Sequence, residues 1–329
     1  MVAEAEYVDH RGHNVDSLET VMAGLTARDI ENASDDRLKH IAEDLEELML
    51  GFNQTNGVKS EYYARTLLRI ATRKEWLSKI QSAAKGIGQH FWAREQYDSA
   101  AVYYRMAMDA VEKMPLSETG DGSGNTYTQK DIDNALSQMY GTLGNLYNIQ
   151  GKLHLALDYY QKALPIFQRN GWKESESILF YNVGELYLEL GNNDAAEDNY
   201  RKALDAALQT GDSLMSCGPY SGLAMTSLNA GKYEAALDYA QRSIEYIVAH
   251  KEEELEGLLD SYVLLSRIYQ LGFNDLQTTQ LYLTEALTLA EIADAPTNVS
   301  DAYSQQASLC QQRNEWKKAI EWANKALEV

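Results

Sequence analysis

Tyr140-Gly141-Thr142-Leu143-Gly144-Asn145-Leu146-Tyr147-Asn148-Ile149-Gln150-Gly151-Lys152 decides the architecture, because its spacing returns twice without a gap. Tyr140, Leu143, Gly144 and Tyr147 are followed by Gly151, Ala156, Tyr160 and Ala163. Forty residues on stand Phe180, Val183, Gly184, Tyr187, Gly191, Ala196, Tyr200 and Ala203. Another forty bring Tyr220, Leu223, Ala224, Ser227, Gly231, Ala236, Ala240 and Ser243. Positions three, four and seven apart share one helix face. Each block therefore reads as two helices, with small residues where they approach and aromatic rings beside them. Gly151, Gly191 and Gly231 fall between the helices, where a left-handed residue closes the turn. One such pair cannot bury its apolar face alone, so successive pairs must stack.

The frame runs outward from these blocks. Upstream, Gly88, Phe91, Ala100, Tyr104 and Ala107 form one unit, and Leu48, Ser60, Ala64 and Leu67 a degenerate one. Downstream, Tyr262, Leu265, Ser266 and Tyr269 open a unit with an extra residue near Gly272-Phe273-Asn274. Tyr303, Ala307, Ala319, Ala323 and Ala326 belong to the last. The reading is an all-α chain: a solenoid of about seven antiparallel helix pairs with a 40-residue period. Units start near residues 41, 81, 137, 177, 217, 259 and 300. Residues 1–34 form an N-terminal arm with a short helix, and 35–329 the solenoid. A loop insertion at 115–130 is flexible by its Gly, Ser and Asp content. The chain stops at Ala326-Leu327-Glu328-Val329, inside a helix, which reads as a solenoid truncated or uncapped at its C-terminus.

Composition narrows the function. A formal net charge of −20 repels nucleic acid and anionic lipid, keeps a long surface soluble, and suits cationic or polar ligands. Cys217 and Cys310 lie too far apart for a metal or redox motif and read as small packed residues. Met1-Val2-Ala3-Glu4-Ala5-Glu6 lacks the basic start and apolar core of a signal peptide. No apolar run approaches the roughly 20 residues that span a bilayer, so membrane attachment would need flanking segments.

No reaction centre emerges, and the expectation is a non-enzyme without cofactor or metal. Gly120-Asp121-Gly122-Ser123-Gly124 follows no strand and lacks the Lys-Ser/Thr of a phosphate loop. His10 and His13, with Asp9 and Asp16, have metal-like spacing but no second shell in a polar arm. His40, His90, His154 and His250 are scattered, and no nucleophile–His–carboxylate set assembles.

The paired small and aromatic positions resemble the tetratricopeptide-repeat family, whose common period is shorter, and the resemblance implies that the solenoid is a right-handed superhelix. The resemblance implies that first-helix positions 2, 5, 9, 12 and 13 of each unit line a binding face. Carried over, these include Lys85, Gln89 and Trp92; Asn145 and Asn148; Tyr181, Glu185 and Glu189; Met225 and Asn229; Arg267 and Gln270; Ser308 and Gln311. Amides suit an extended peptide backbone, and Tyr181 and Trp92 can cover an apolar group. The chaperone-tail subtype of this family is disfavoured. Asn145 and Asn182 match its clamp, but Gly141, Gly218 and Gly222 stand where cations are needed.

Arg94-Glu95-Gln96-Tyr97-Asp98-Ser99-Ala100 and Ala207-Leu208-Gln209-Thr210-Gly211-Asp212-Ser213 are similar to the sensory repeat regions of bacterial membrane-anchored regulators. That likeness implies a periplasmic, extracytoplasmic domain that binds a peptide or partner protein, with homodimerisation as one route to signalling. The rival expectation is a stand-alone cytoplasmic scaffold holding an extended peptide. A receptor for a short secreted peptide would carry a helical bundle ahead of the repeats, and residues 1–40 are short for one.

Overall fold

The computed structural model describes residues 18–20, 22, 27–116, 127–249, 255–292 and 296–329. A short helix α1 (Ala27–Glu31) precedes a run of helix pairs. These are α2 (Asp35–Phe52) with α3 (Gly57–Lys74), α4 (Leu77–Ala93) with α5 (Tyr97–Glu112), and α6 (Gln129–Ile149) with α7 (Leu153–Asn170). They continue with α8 (Lys173–Glu189) and α9 (Asn193–Thr210), then α10 (Cys217–Asn229) and α11 (Tyr233–Ala249). The last are α12 (Leu255–Gly272) with α13 (Leu276–Ala290) and α14 (Pro296–Gln312) with α15 (Trp316–Glu328). Among the described residues these are seven pairs, and the one β feature is an isolated bridge between Leu116 and Tyr127.

The chain falls into two compact units, Met1–Ile166 and Phe167–Val329. In the first, Leu38, Ile41, Leu45, Leu48, Leu67 and Ile87 form the main apolar cluster. In the second, clusters form around Tyr200 with Leu223, around Ala236 with Leu264 and Leu265, and around Leu259 with Ala302. The first and third pairs begin at 35 and 129, ahead of the starts near 41 and 137. Their caps lie outside the apolar pattern: Ser34 accepts from the Arg37 amide, and Thr128 forms a capping box with Asp131.

Packing inside a pair follows one rule. A glycine of the first helix receives a tyrosine ring of the second: Gly88 takes Tyr104, Gly144 takes Tyr160, and Gly184 takes Tyr200. Tyr160 and Tyr200 are fully buried as a result. A serine near the start of a first helix then ties the pair. Ser177 donates to the Ala203 carbonyl at 2.9 Å, and Ser300 to the Ala326 carbonyl at 2.8 Å.

The turn inside a pair is also shared. The amide of Lys152 donates to Tyr147 O, that of Asn192 to Tyr187 O, and that of Lys232 to Ser227 O. The residue before each donor is left-handed: Gly151 at φ +68°, Gly191 at +72° and Gly231 at +71°. Gln96 and Glu315 make the same bond, but there the left-handed residues are Glu95 and Asn314. In the sixth pair the bond runs from Asp275 to Tyr269, one residue longer, with Asn274 left-handed. That is where the extra residue near Gly272 is absorbed.

His10 and His13, set aside as metal ligands, lie outside the described residues, as do positions 117–126 of the insertion. Among the described residues no helix is long and apolar enough to cross a membrane, and no group of three or more metal-ligating side chains assembles. Both cysteines are buried free thiols.

Candidate functional site

The sequence-chosen residues fall in both units. In the first, Gln89 is exposed on α4. Lys85, one turn earlier, donates to Gln138 of α6 at 2.9 Å. Trp92 is half-buried, with its ring edge-on to Tyr97 and Tyr104 at centroid distances of 6.2 and 6.3 Å. Its indole therefore serves the packing of α4 on α5. Asn145 is exposed on α6 and accepts the Tyr160 hydroxyl at 2.5 Å. Asn148, one turn on, is half-buried.

The second unit holds a denser arrangement. Tyr181 and Glu185 lie one turn apart on α8, and Glu185 accepts hydroxyl hydrogen bonds from both Tyr181 and Tyr200. Burial pushes the Glu185 carboxyl up; the two hydroxyls oppose that, and Glu189 adds repulsion. Desolvation also raises the Tyr181 and Tyr200 phenols, reinforced by the negative charge of Glu185, so both remain donors. Opposite them α10 places Gly218 and Gly222. A Cβ on Gly218 would meet the Tyr181 ring at 3.2 Å, and one on Gly222 the Tyr200 ring at 2.5 Å. The glycines that stand where a chaperone clamp needs cations are thus seats for tyrosine rings.

From α12, Asp260 joins this acidic group. It keeps solvent access. Desolvation by the surrounding protein is nevertheless the largest cause pushing its carboxyl up to about 6. Asn298 of α14 opposes that by hydrogen bonding, and the charged groups acting on Asp260 are Asp301, Glu256 and Glu185. Carboxylates that raise one another's pKa bind a cation that enters among them, because it relieves the repulsion and is held by it.

Met225, Arg267 and Gln270 have different fates. Met225 is half-buried against the α10–α12 apolar cluster. Arg267 is half-buried on α12. Gln270 is only 4% exposed, and its amide is spent inside the fold. It donates to Gln312 Oε1 at 2.8 Å and Ser308 Oγ at 3.3 Å, and accepts from Gln305 Nε2 at 2.6 Å. The sequence reading of Gln270 as a ligand-facing amide gives way to a scaffold amide joining α12 to α14. Asp260 and Asp301 escaped the sequence selection, although both occupy position 2 of their units, a position that the face-lining rule includes.

Comparison with known proteins bears on the fold. Residues 135–209 match the family profile described as tetratricopeptide repeat. No curated protein matches the chain. Among solved structures, the apo form of RapI superposes with a TM-score of 0.65 at 13% identity, over 89% of this chain and 97% of that one. A tetratricopeptide repeat protein from Parabacteroides merdae gives 0.60 at 16% identity, covering 88% and 93%. The Rap conjugation gene regulator of the plasmid pLS20, solved with the Phr* peptide, gives 0.57 at 15% identity, covering 93% and 78%. At these identities the likeness is one of fold.

Proposed function

Starting from a tetratricopeptide-repeat fold of seven helix pairs, we propose that the chain is a protein- or peptide-binding module. Its working face in the second unit lies between α8, α10 and α12. The observation that carries this reading is the juxtaposition of the Tyr181 ring and the Glu185 carboxylate on α8 with the Asp260 carboxylate on α12. Tyrosine rings give flat apolar contact, and the carboxylates select a lysine, an arginine or an amino terminus. A related fold has been captured with a peptide, in the pLS20 Rap regulator. That supports the peptide class of partner.

The role follows the sequence likeness to bacterial sensory repeats: an extracytoplasmic sensing or interaction region whose occupancy is passed to an output module. Repeats touch only their neighbours, so a ligand that bridges α8 and α12 biases their spacing. A cytoplasmic scaffold would use the same face.

Panning a random peptide library against the immobilised protein tests the binding claim, followed by anisotropy with an enriched peptide. Lysine- or arginine-bearing peptides should dominate. Asp260→Lys and Tyr181→Ala should each weaken binding about tenfold or more with unchanged far-UV circular dichroism. Enrichment of acidic peptides, or affinity indifferent to both variants, would remove the site from this face. Fractionation of the native host distinguishes the two roles: an extracytoplasmic pool sustains the sensor, and a purely cytoplasmic pool leaves the scaffold.

A further inference from the structure

The last helix exposes an apolar stripe. Trp316, Ile320, Ala323 and Leu327 follow one another at helical spacing on α15, and the three large side chains are 61%, 62% and 85% exposed. Scattered exposed apolar residues are ordinary, but a continuous stripe of this kind marks an interaction surface.

The repeat register says what such a stripe is shaped to hold. The turn bond from Glu315 to Cys310 is the counterpart of that from Lys232 to Ser227. Trp316, Ile320, Ala323 and Leu327 therefore correspond to Tyr233, Leu237, Ala240 and Ile244 of α11. Those four residues pack into one cluster with Leu264, Leu265 and Ile268 of the next helix, α12. The stripe on α15 is thus a helix-docking face. Beside it runs a shallow groove between α14 and α15, floored by Ser304, Ala307, Ser308 and Ala323 and edged by Leu327.

We infer that this face binds its own counterpart on a second copy of the chain, with the two α15 helices antiparallel about a two-fold axis. The stripe is self-complementary in that arrangement. Trp316 meets Leu327 of the second copy at the open end of the groove, and Ile320 meets the small Ala323. Each contact occurs twice by symmetry. The polar flank agrees as well. Lys317 comes opposite Glu328 of the second copy, and Glu321 opposite Asn324. The remaining lysines of the helix are engaged within the fold: Lys318 on Glu315 at 2.7 Å, and Lys325 over the rings of Tyr303 and Trp322.

Charge favours this meeting point over others. The chain carries −20, so two copies repel over most of their surface. The helix Trp316–Glu328 bears three lysines against two glutamates, which makes it a place where like copies approach without that penalty.

Sedimentation equilibrium of the protein from about 1 to 200 µM, a span suited to a small interface, tests the inference. Reversible dimers are expected in the wild type. Ile320→Glu should abolish them, with circular dichroism and melting unchanged because the side chain is exposed. Lys317→Glu and Glu328→Lys should each weaken dimerisation about tenfold, since each places two like-charge pairs in the interface. The double variant K317E/E328K should recover it, which another partner on this face would not produce. A wild type that stays monomeric across the range, or dimers indifferent to Ile320→Glu and to the charge reversals, would overturn it.

Discussion

A Cβ placed on Gly222 would lie 2.5 Å from the Tyr200 ring, which already rests on Gly184 of the neighbouring helix. One ring therefore fixes the spacing of α8, α9 and α10, while its hydroxyl holds Glu185. Gly222→Ala must push the ring or the helix aside and should cost about 1–3 kcal/mol by overpacking. Gly141 is the control, because nothing lies within 4 Å of its Cβ position. Gly141→Ala should be neutral or stabilising by up to about 1 kcal/mol, the ordinary helix preference for alanine. Chemical denaturation of the two variants measures both.

Asp260 gives the protein a pH dependence of unusual sign. Its folded-state value of about 6 exceeds the unfolded value near 3.8, so the folded chain holds the extra proton between them. Stability from this group is therefore lost as pH rises from about 4 to 6. Asp98 and Asp275 act oppositely. Hydrogen bonds from Lys152 and Thr278 hold their carboxyls down, and their contribution is lost on acidification. Asp260→Asn keeps the shape and removes the charge. The melting-temperature advantage of Asp260→Asn over wild type should grow as pH rises from 4 to 7. Binding of a cationic peptide should weaken below pH 6, where Asp260 becomes neutral.

In the first unit His90 works in the other direction. It is buried, and its Nε2 lies 2.9 Å from Ser60 Oγ, which donates to the Met49 carbonyl at 2.7 Å. Desolvation pushes its pKa below 6.5, with Glu61 opposing and Arg94 assisting. The unfolded chain gains the proton first, so stability falls as pH drops below 6.5. Proton NMR should place the His90 midpoint below 6.5. His90→Gln should flatten the stability profile on the acid side of that value.

Gln270 separates scaffold from site. Truncation to alanine leaves the buried Gln305 amide without its Gln270 partner and should cost about 1–3 kcal/mol. Affinity for a peptide held at Asp260 should stay unchanged. A loss of binding without loss of stability would return Gln270 to the ligand face.

The helix pairs were legible because Gly144, Gly184 and Ala224 recur with Tyr160, Tyr200 and Ala240 at one spacing, and stacking physics leaves that pattern few alternatives. The turns were legible in Gly151, Gly191 and Gly231, where φ is positive. Depth was not. Periodicity says which side of a helix a residue occupies, not how closely the next helix stands. Gln270 therefore looked like an open amide, although Gln305 and Gln312 enclose it from 35 and 42 residues away. Trp92 misled likewise, since its neighbours Tyr97 and Tyr104 belong to its own pair. Asp260 lay on the face-lining register, but its altered acidity arises first from desolvation and then from Asp301, Glu256 and Glu185, all of which only the fold brings about.

The intra-pair turns also set an order of failure. Glycine occupies the left-handed position in the third, fourth and fifth pairs, where it costs no steric strain. Glu95, Asn274 and Asn314 hold it in the second, sixth and seventh, each against its own Cβ. Stored strain is thus absent from the turns of the third to fifth pairs and present in those of the second, sixth and seventh. Heating or denaturant should fray the outer pairs while Gln129–Ala249 keeps its amide protection. Unfolding then proceeds as peeling, and a ligand bridging α8 and α12 would tie a pair that lets go early to the segment that lets go last.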